Sequence, residues 1–164
     1  MRLIDRAVLL MFVCSAAAMA CFAGNTRVLP ALAQRDAKPA SPVGTWRGDS
    51  ICVGNRPACK NEDVVYRFEA VPGKPTSWIQ FADKIIEGKR EPMGKLDFTY
   101  NQAAGTLTGE FSRGQTHVLW EFTLSGDKME GKLFILPERS VGRRVTVKRV
   151  DESQVPPAPA RDQY

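Results

Sequence analysis

Val118-Leu119-Trp120-Glu121-Phe122-Thr123-Leu124 decides the fold. Val118, Trp120, Phe122 and Leu124 recur at every second position, the period of an extended strand with one face in a core. Ser125-Gly126-Asp127 then turns the chain, and Met129, Gly131, Leu133 and Ile135 resume the alternation before Pro137-Glu138-Arg139. Upstream, Leu107, Gly109 and Phe111 share one face before Arg113-Gly114, while Leu96, Phe98 and Tyr100 alternate with Lys95, Asp97 and Thr99 until residues 101–105 reverse the chain. Further back, Val64, Tyr66 and Phe68 oppose Arg67 and Glu69. Val71-Pro72-Gly73-Lys74 turns into an extended run from Trp78 through Ile86, and Gly88 turns again. Trp46, Gly48 and Ser50 open the first strand, and Val145 and Val147 mark the last.

The pattern predicts strands over residues 44–53, 62–70, 76–86, 92–100, 105–112, 116–125, 128–136 and 142–150, with no long helical period between them. Consecutive hairpins with one apolar face predict an all-β, eight-stranded antiparallel up-and-down β-barrel. Closing the first strand on the last removes two adhesive edges. The alternative, a two-sheet sandwich, needs Greek-key crossings and longer connections.

The flanks read differently. Arg2, Asp5 and Arg6 precede the apolar run Ala7–Ala20, and Ala18-Met19-Ala20 carries the small-x-small pattern of a cleavage site, so residues 1–23 are expected to be a signal peptide. The run is shorter than the roughly 20 residues a bilayer span needs. Cys21 follows a small residue, as in a bacterial lipobox, although Ala18 stands where leucine is usual. Residues 24–42 read as a flexible linker, 43–150 as the packed domain, and 151–164, with Val155-Pro156-Pro157-Ala158-Pro159-Ala160, as a flexible proline-rich tail. The expected location is periplasmic or secreted. A lipid-anchored envelope protein is the alternative, with membrane association only if Cys21 is lipidated, in which case residues 22–42 form the tether.

Export leaves Cys52 and Cys59 as a pair in the domain, expected to form a local disulfide. Two thiolates and one distant histidine are too few ligands for zinc, so no metal and no cofactor is expected. With 164 residues, 43% hydrophobic and 25% charged, the chain has the balance of one soluble globular domain. Removing residues 1–23 leaves 21 of the 23 basic and 17 of the 18 acidic side chains. That excess, with neither an aromatic RNA platform nor a basic recognition helix, points to no nucleic acid. Arg143, Arg144, Lys148 and Arg149 make a local basic strand, read as a solvated face or as a weak contact for anionic headgroups or acidic polysaccharide.

Gly44-Thr45-Trp46, a G-x-W at the start of an exported eight-strand meander, resembles the opening of the calycin group, which includes lipocalins, avidin-like proteins and small bacterial barrels. The resemblance implies that Trp46 closes one barrel end and that an arginine of the last strand, Arg143, Arg144 or Arg149, stacks on it as a structural element. Gly105-Thr106-Leu107-Thr108-Gly109 is similar to an avidin strand. The lipocalin first loop and C-terminal helix are absent, as is the tryptophan pattern of a biotin pocket, so biotin is not assigned to Trp78 or Trp120. The span from Val43 to Arg149 also resembles a class of secreted bacterial proteins with this cysteine pair, a likeness that implies a fold and no particular activity.

Two binding routes follow. A barrel interior could hold a small apolar or amphipathic ligand against Tyr66, Phe68, Trp78, Gln80, Phe98, Tyr100, Trp120 and Phe122. The same residues could simply pack the core, and an empty volume touching Tyr66, Tyr100 or Gln80 would favour the ligand. Alternatively, the clipped loop with Arg56 and Lys60 could contact an envelope protein or inhibit a hydrolase. No catalytic residues are expected: His117 should face outward beside Glu121, and Glu110 and Glu121 offer no cleft.

Overall fold

The computed structural model describes residues 41–164. The expected signal peptide, Cys21 and linker residues 24–40 lie outside the described residues. Eight strands, β1 (Gly44–Cys52), β2 (Glu62–Ala70), β3 (Ser77–Ile86), β4 (Lys89–Asn101), β5 (Thr106–Arg113), β6 (Thr116–Ser125), β7 (Lys128–Ile135) and β8 (Ser140–Val150), form a closed antiparallel barrel in sequence order. Closure is made by β1 and β8, where Gly48 lies opposite Val147 and Ser50 opposite Val145. The fold is therefore the barrel, not the sandwich. β4 begins at Lys89 rather than at 92, because Glu87-Gly88 makes a two-residue turn with φ of 49° and 76°, the backbone of a tight hairpin.

The inward rows meet in one cluster that includes Trp46, Val64, Phe68, Phe98, Leu107, Phe122, Met129 and Val147. Phe68 meets Phe98 edge to face at 5.5 Å, and Phe122 meets Tyr66 at 6.0 Å and Phe68 at 6.3 Å, the geometry aromatic quadrupoles prefer. Small residues make room for these rings. A side chain at Gly131 would overlap the Phe122 ring, and one at Gly109 would come within 2.9 Å of Phe98.

Trp46 closes one end. Its indole N–H donates to the Pro42 carbonyl at 2.8 Å, and the Arg149 guanidinium lies 4.2 Å above the ring, a contact worth about 0.5–2 kcal/mol. Arg149 also donates to the carbonyls of Ser41 and Val43 and pairs with Asp127. Arg143 and Arg144 do not share this role: Arg143 turns to the opposite mouth and Arg144 is exposed.

Residues 151–164, read from their prolines as a flexible tail, make contacts that their pattern does not announce. Proline removes backbone donors, so the segment forms no strand and is held by side chains, with 3-10 turns at Glu152–Gln154 and Arg161–Gln163. Val65 and Phe81, placed by alternation on the outside of β2 and β3, are nevertheless buried. Tyr164 packs edge-on against Phe81 at 5.1 Å and donates its hydroxyl to Asp83 at 2.5 Å. Arg90 binds Asp83 at 2.6 Å and Glu152 at 2.6 Å. Glu152 also accepts from Thr45, and Arg161 pairs with Glu69.

These contacts give the tail a pH dependence. Burial acts to raise Glu152, but hydrogen bonds from Thr45 and Arg90 outweigh it and hold the carboxyl below its usual range. The Tyr164 phenol is pushed up to about 12, first by burial and then by its hydrogen bond to Asp83. Glu152 therefore stabilises fully above the ordinary glutamate value and loses its effect as pH falls through the lowered one. Tyr164 stabilises fully below the ordinary tyrosine value of 10.0 and loses its effect as pH rises toward about 12. In urea unfolding across pH, the advantage of wild type over Glu152→Gln should shrink in acid, and that over Tyr164→Phe should shrink in alkali. Differences that stay flat would refute both linkages.

Candidate functional site

The barrel is not filled to the top. Above the ring cluster lies a chamber of about 300 Å³ with walls from six strands: Tyr66 on β2, Gln80 and Ala82 on β3, Met93 to Leu96 on β4, Phe111 on β5, Val118 and Trp120 on β6, and Leu133 on β7. Trp120 stacks flat on Phe122, with centroids 5.6 Å apart, so Phe122 supports a ring that lines the chamber. Small inward residues leave the volume open, since Ala82 lies opposite Tyr66 on one side and Gly94 on the other.

Besides Lys95 at its exposed edge, two buried polar residues border this largely apolar space. Gln80 is only 5% exposed and lines this space. Burial drives the Tyr66 phenol well above its usual range, against a weaker opposing effect of its hydrogen bond with Ser50. Tyr66 is thus a neutral hydroxyl at neutral pH, able to donate or accept.

A lateral gap leads to the chamber. β4 and β5 pair only at Thr99–Thr108, Tyr100–Leu107 and Asn101–Thr106, after which they diverge. A bulge at Ala82/Asp83 leaves Met93 without an opposite residue on β3, the two-against-one arrangement that bends a strand and re-aims a side chain. Met93 and Phe111 flank the gap, 42% and 40% exposed.

The mouth carries a second concavity of about 650 Å³, lined by residues 55–59 of the clipped loop together with Thr116, Val118, Leu133 and Arg143. Val118 and Leu133 border both spaces. Cys52 and Cys59 are joined by a disulfide, a closure of this length being worth about 2–3 kcal/mol in the chain-entropy model. Arg143 fastens the loop from inside the mouth: it donates to Ser50 at 3.0 Å and to the Lys60 carbonyl at 2.6 Å, and pairs with Glu62 at 2.6 Å.

The expected ligand residues thus separate into groups. Tyr66, Gln80 and Trp120 line the chamber, while Phe122, Phe68 and Phe98 pack in the core cluster. Trp78 and Tyr100 meet edge to face at 6.3 Å and do not line the chamber. Arg56 borders the mouth concavity, and Lys60 contributes its carbonyl to Arg143 while its side chain is exposed. Ala82, Met93, Gly94, Lys95, Leu96, Phe111, Val118 and Leu133 complete the lining beyond the residues the sequence pattern points to. Gly94, interrupting a β-pattern two residues before the inward Leu96, was the available signal of an opening.

His117 is half-exposed and pairs with Glu110, its diagonal neighbour across β5 and β6, rather than with Glu121. Glu121 instead binds Arg139 at 2.5 Å. Among the described residues, no cluster of His, Cys, Asp or Glu could hold a metal ion, and no helix is long and apolar enough to cross a membrane. Arg144 and Lys148 are exposed, and Arg144 borders an outer groove that also holds Glu121, Glu130 and Lys132. In comparisons with known proteins, no family model matches the chain and no curated protein matches it.

Proposed function

We propose that the chamber receives a small apolar or amphipathic molecule and that the protein is a noncatalytic binding protein of the cell envelope or exterior, within a calycin-like barrel class. The observation that carries this reading is the open, largely apolar volume inside the barrel wall, bordered by the buried Gln80 and by Tyr66. Polar groups at the wall of an apolar volume need hydrogen-bond partners, which a guest or water in the chamber would supply. The disulfide is consistent with an oxidising compartment. The alternative, protein contact through Arg56 and Lys60, has less support because the Arg56 guanidinium lies over Gly142 at the mouth.

The test uses N-phenyl-1-naphthylamine, a neutral probe that brightens in apolar surroundings. Wild-type protein should bind it, with energy transfer from Trp120. Ala82→Phe, which places a ring between Tyr66 and Gly94, should weaken binding by at least about tenfold, with the fold checked by circular dichroism. No binding by wild type, or equal binding by a folded Ala82→Phe, would refute the chamber as a site.

A further inference from the structure

We infer that the polar end of the guest is an anion, held at the barrel mouth by Arg56, so that the preferred ligands are anionic amphiphiles such as fatty carboxylates. This rests on the chamber reading above and adds a charge and a direction to it. The wall of the mouth concavity contains two guanidinium groups, those of Arg56 and Arg143, and no carboxylate. Arg143 is already matched by Glu62 at 2.6 Å and is further occupied by Ser50 and the Lys60 carbonyl. Arg56 has no ion-pair partner among the described residues, so the lining carries one uncompensated positive charge.

The position of that charge is built into the fold. Arg56 Nη1 lies 2.6 Å from where a Cβ on Gly142 would sit, with Leu133 and Ile135 3.0 and 3.1 Å from the same point. Only the absence of a side chain at Gly142 lets the guanidinium settle against β8, on an apolar wall. A cation so placed offers a planar fork for a carboxylate. The Cys52–Cys59 disulfide closes the loop carrying it, lowering the ordering cost of binding. Val118 and Leu133 line both this concavity and the chamber, so the two spaces adjoin. One molecule can therefore place its head at Arg56 and its hydrocarbon beneath.

The test compares decanoate, decanol and decyltrimethylammonium as competitors of the neutral probe, at low salt, near neutral pH and below micelle formation. Decanoate should displace the probe about tenfold more effectively than decanol, with the ammonium compound weakest. In Arg56→Gln the decanoate-to-decanol preference should fall about fivefold or more, and Arg56→Lys should retain part of it. Equal competition by decanoate and decanol, or a preference undiminished in Arg56→Gln, would overturn the anion assignment while leaving the chamber standing. If none of the three displaces the probe, the amphiphile reading falls, and this inference with it.

Discussion

Asp83→Ala is expected to lower the free energy of unfolding by about 3–5 kcal/mol, because it strands a charge. The side chains of Asp83 and Arg90 are both fully buried, on the outer surface of β3 and β4 rather than inside the barrel. Asp83 also accepts the Tyr164 hydroxyl, so its loss removes partners from two elements at once. Glu152 remains 2.6 Å from Arg90 but is half-exposed, and it cannot replace the missing carboxylate in the interior of the cluster. Denaturant unfolding measures the effect. A double variant, Asp83→Leu with Arg90→Met, should recover much of the loss, since removing both charges also removes their desolvation cost. A double variant as unstable as Asp83→Ala would show that packing, rather than the stranded guanidinium, sets the value.

Phe122→Ala should cost a comparable amount, about 3–5 kcal/mol. The ring is buried and meets Tyr66, Phe68, Phe98 and Trp120. Its opposite residue on β7 is Gly131, which has no side chain with which to fill the void. Because Phe122 stacks on Trp120, which lines the chamber, the substitution also removes support from the chamber wall. Urea unfolding gives the stability change. A loss below about 1 kcal/mol would mean that neighbouring rings collapse into the space.

Much of the barrel was legible because its grammar is local. The stripe of Val118, Trp120, Phe122 and Leu124, the glycine turns and the paired cysteines each state their structure within a few residues. Closure was legible too, from the lack of any long crossover between Trp46 and Val147. The site was harder to see. Period two places Phe68, Phe98 and Tyr66 on the same inner side, but not at a height above or below the ring cluster; that depends on stagger between strands. The empty volume arises from Ala82, Gly94 and the bulge at Ala82/Asp83, small residues that carry little pattern of their own. Likewise, nothing local announces the burial of Asp83 and Arg90, because the tail that covers them lies over sixty residues away in the chain.

The short seam between β4 and β5 has a consequence for how such a tube behaves over time. Three paired positions join these strands, against seven to ten at each of the other junctions. A cylinder with one weak stave breathes there first. Amide protons beside that junction should exchange with solvent sooner than those elsewhere in the sheet, and a hydrocarbon chain could slip in sideways past Met93 and Phe111 instead of threading the clipped mouth.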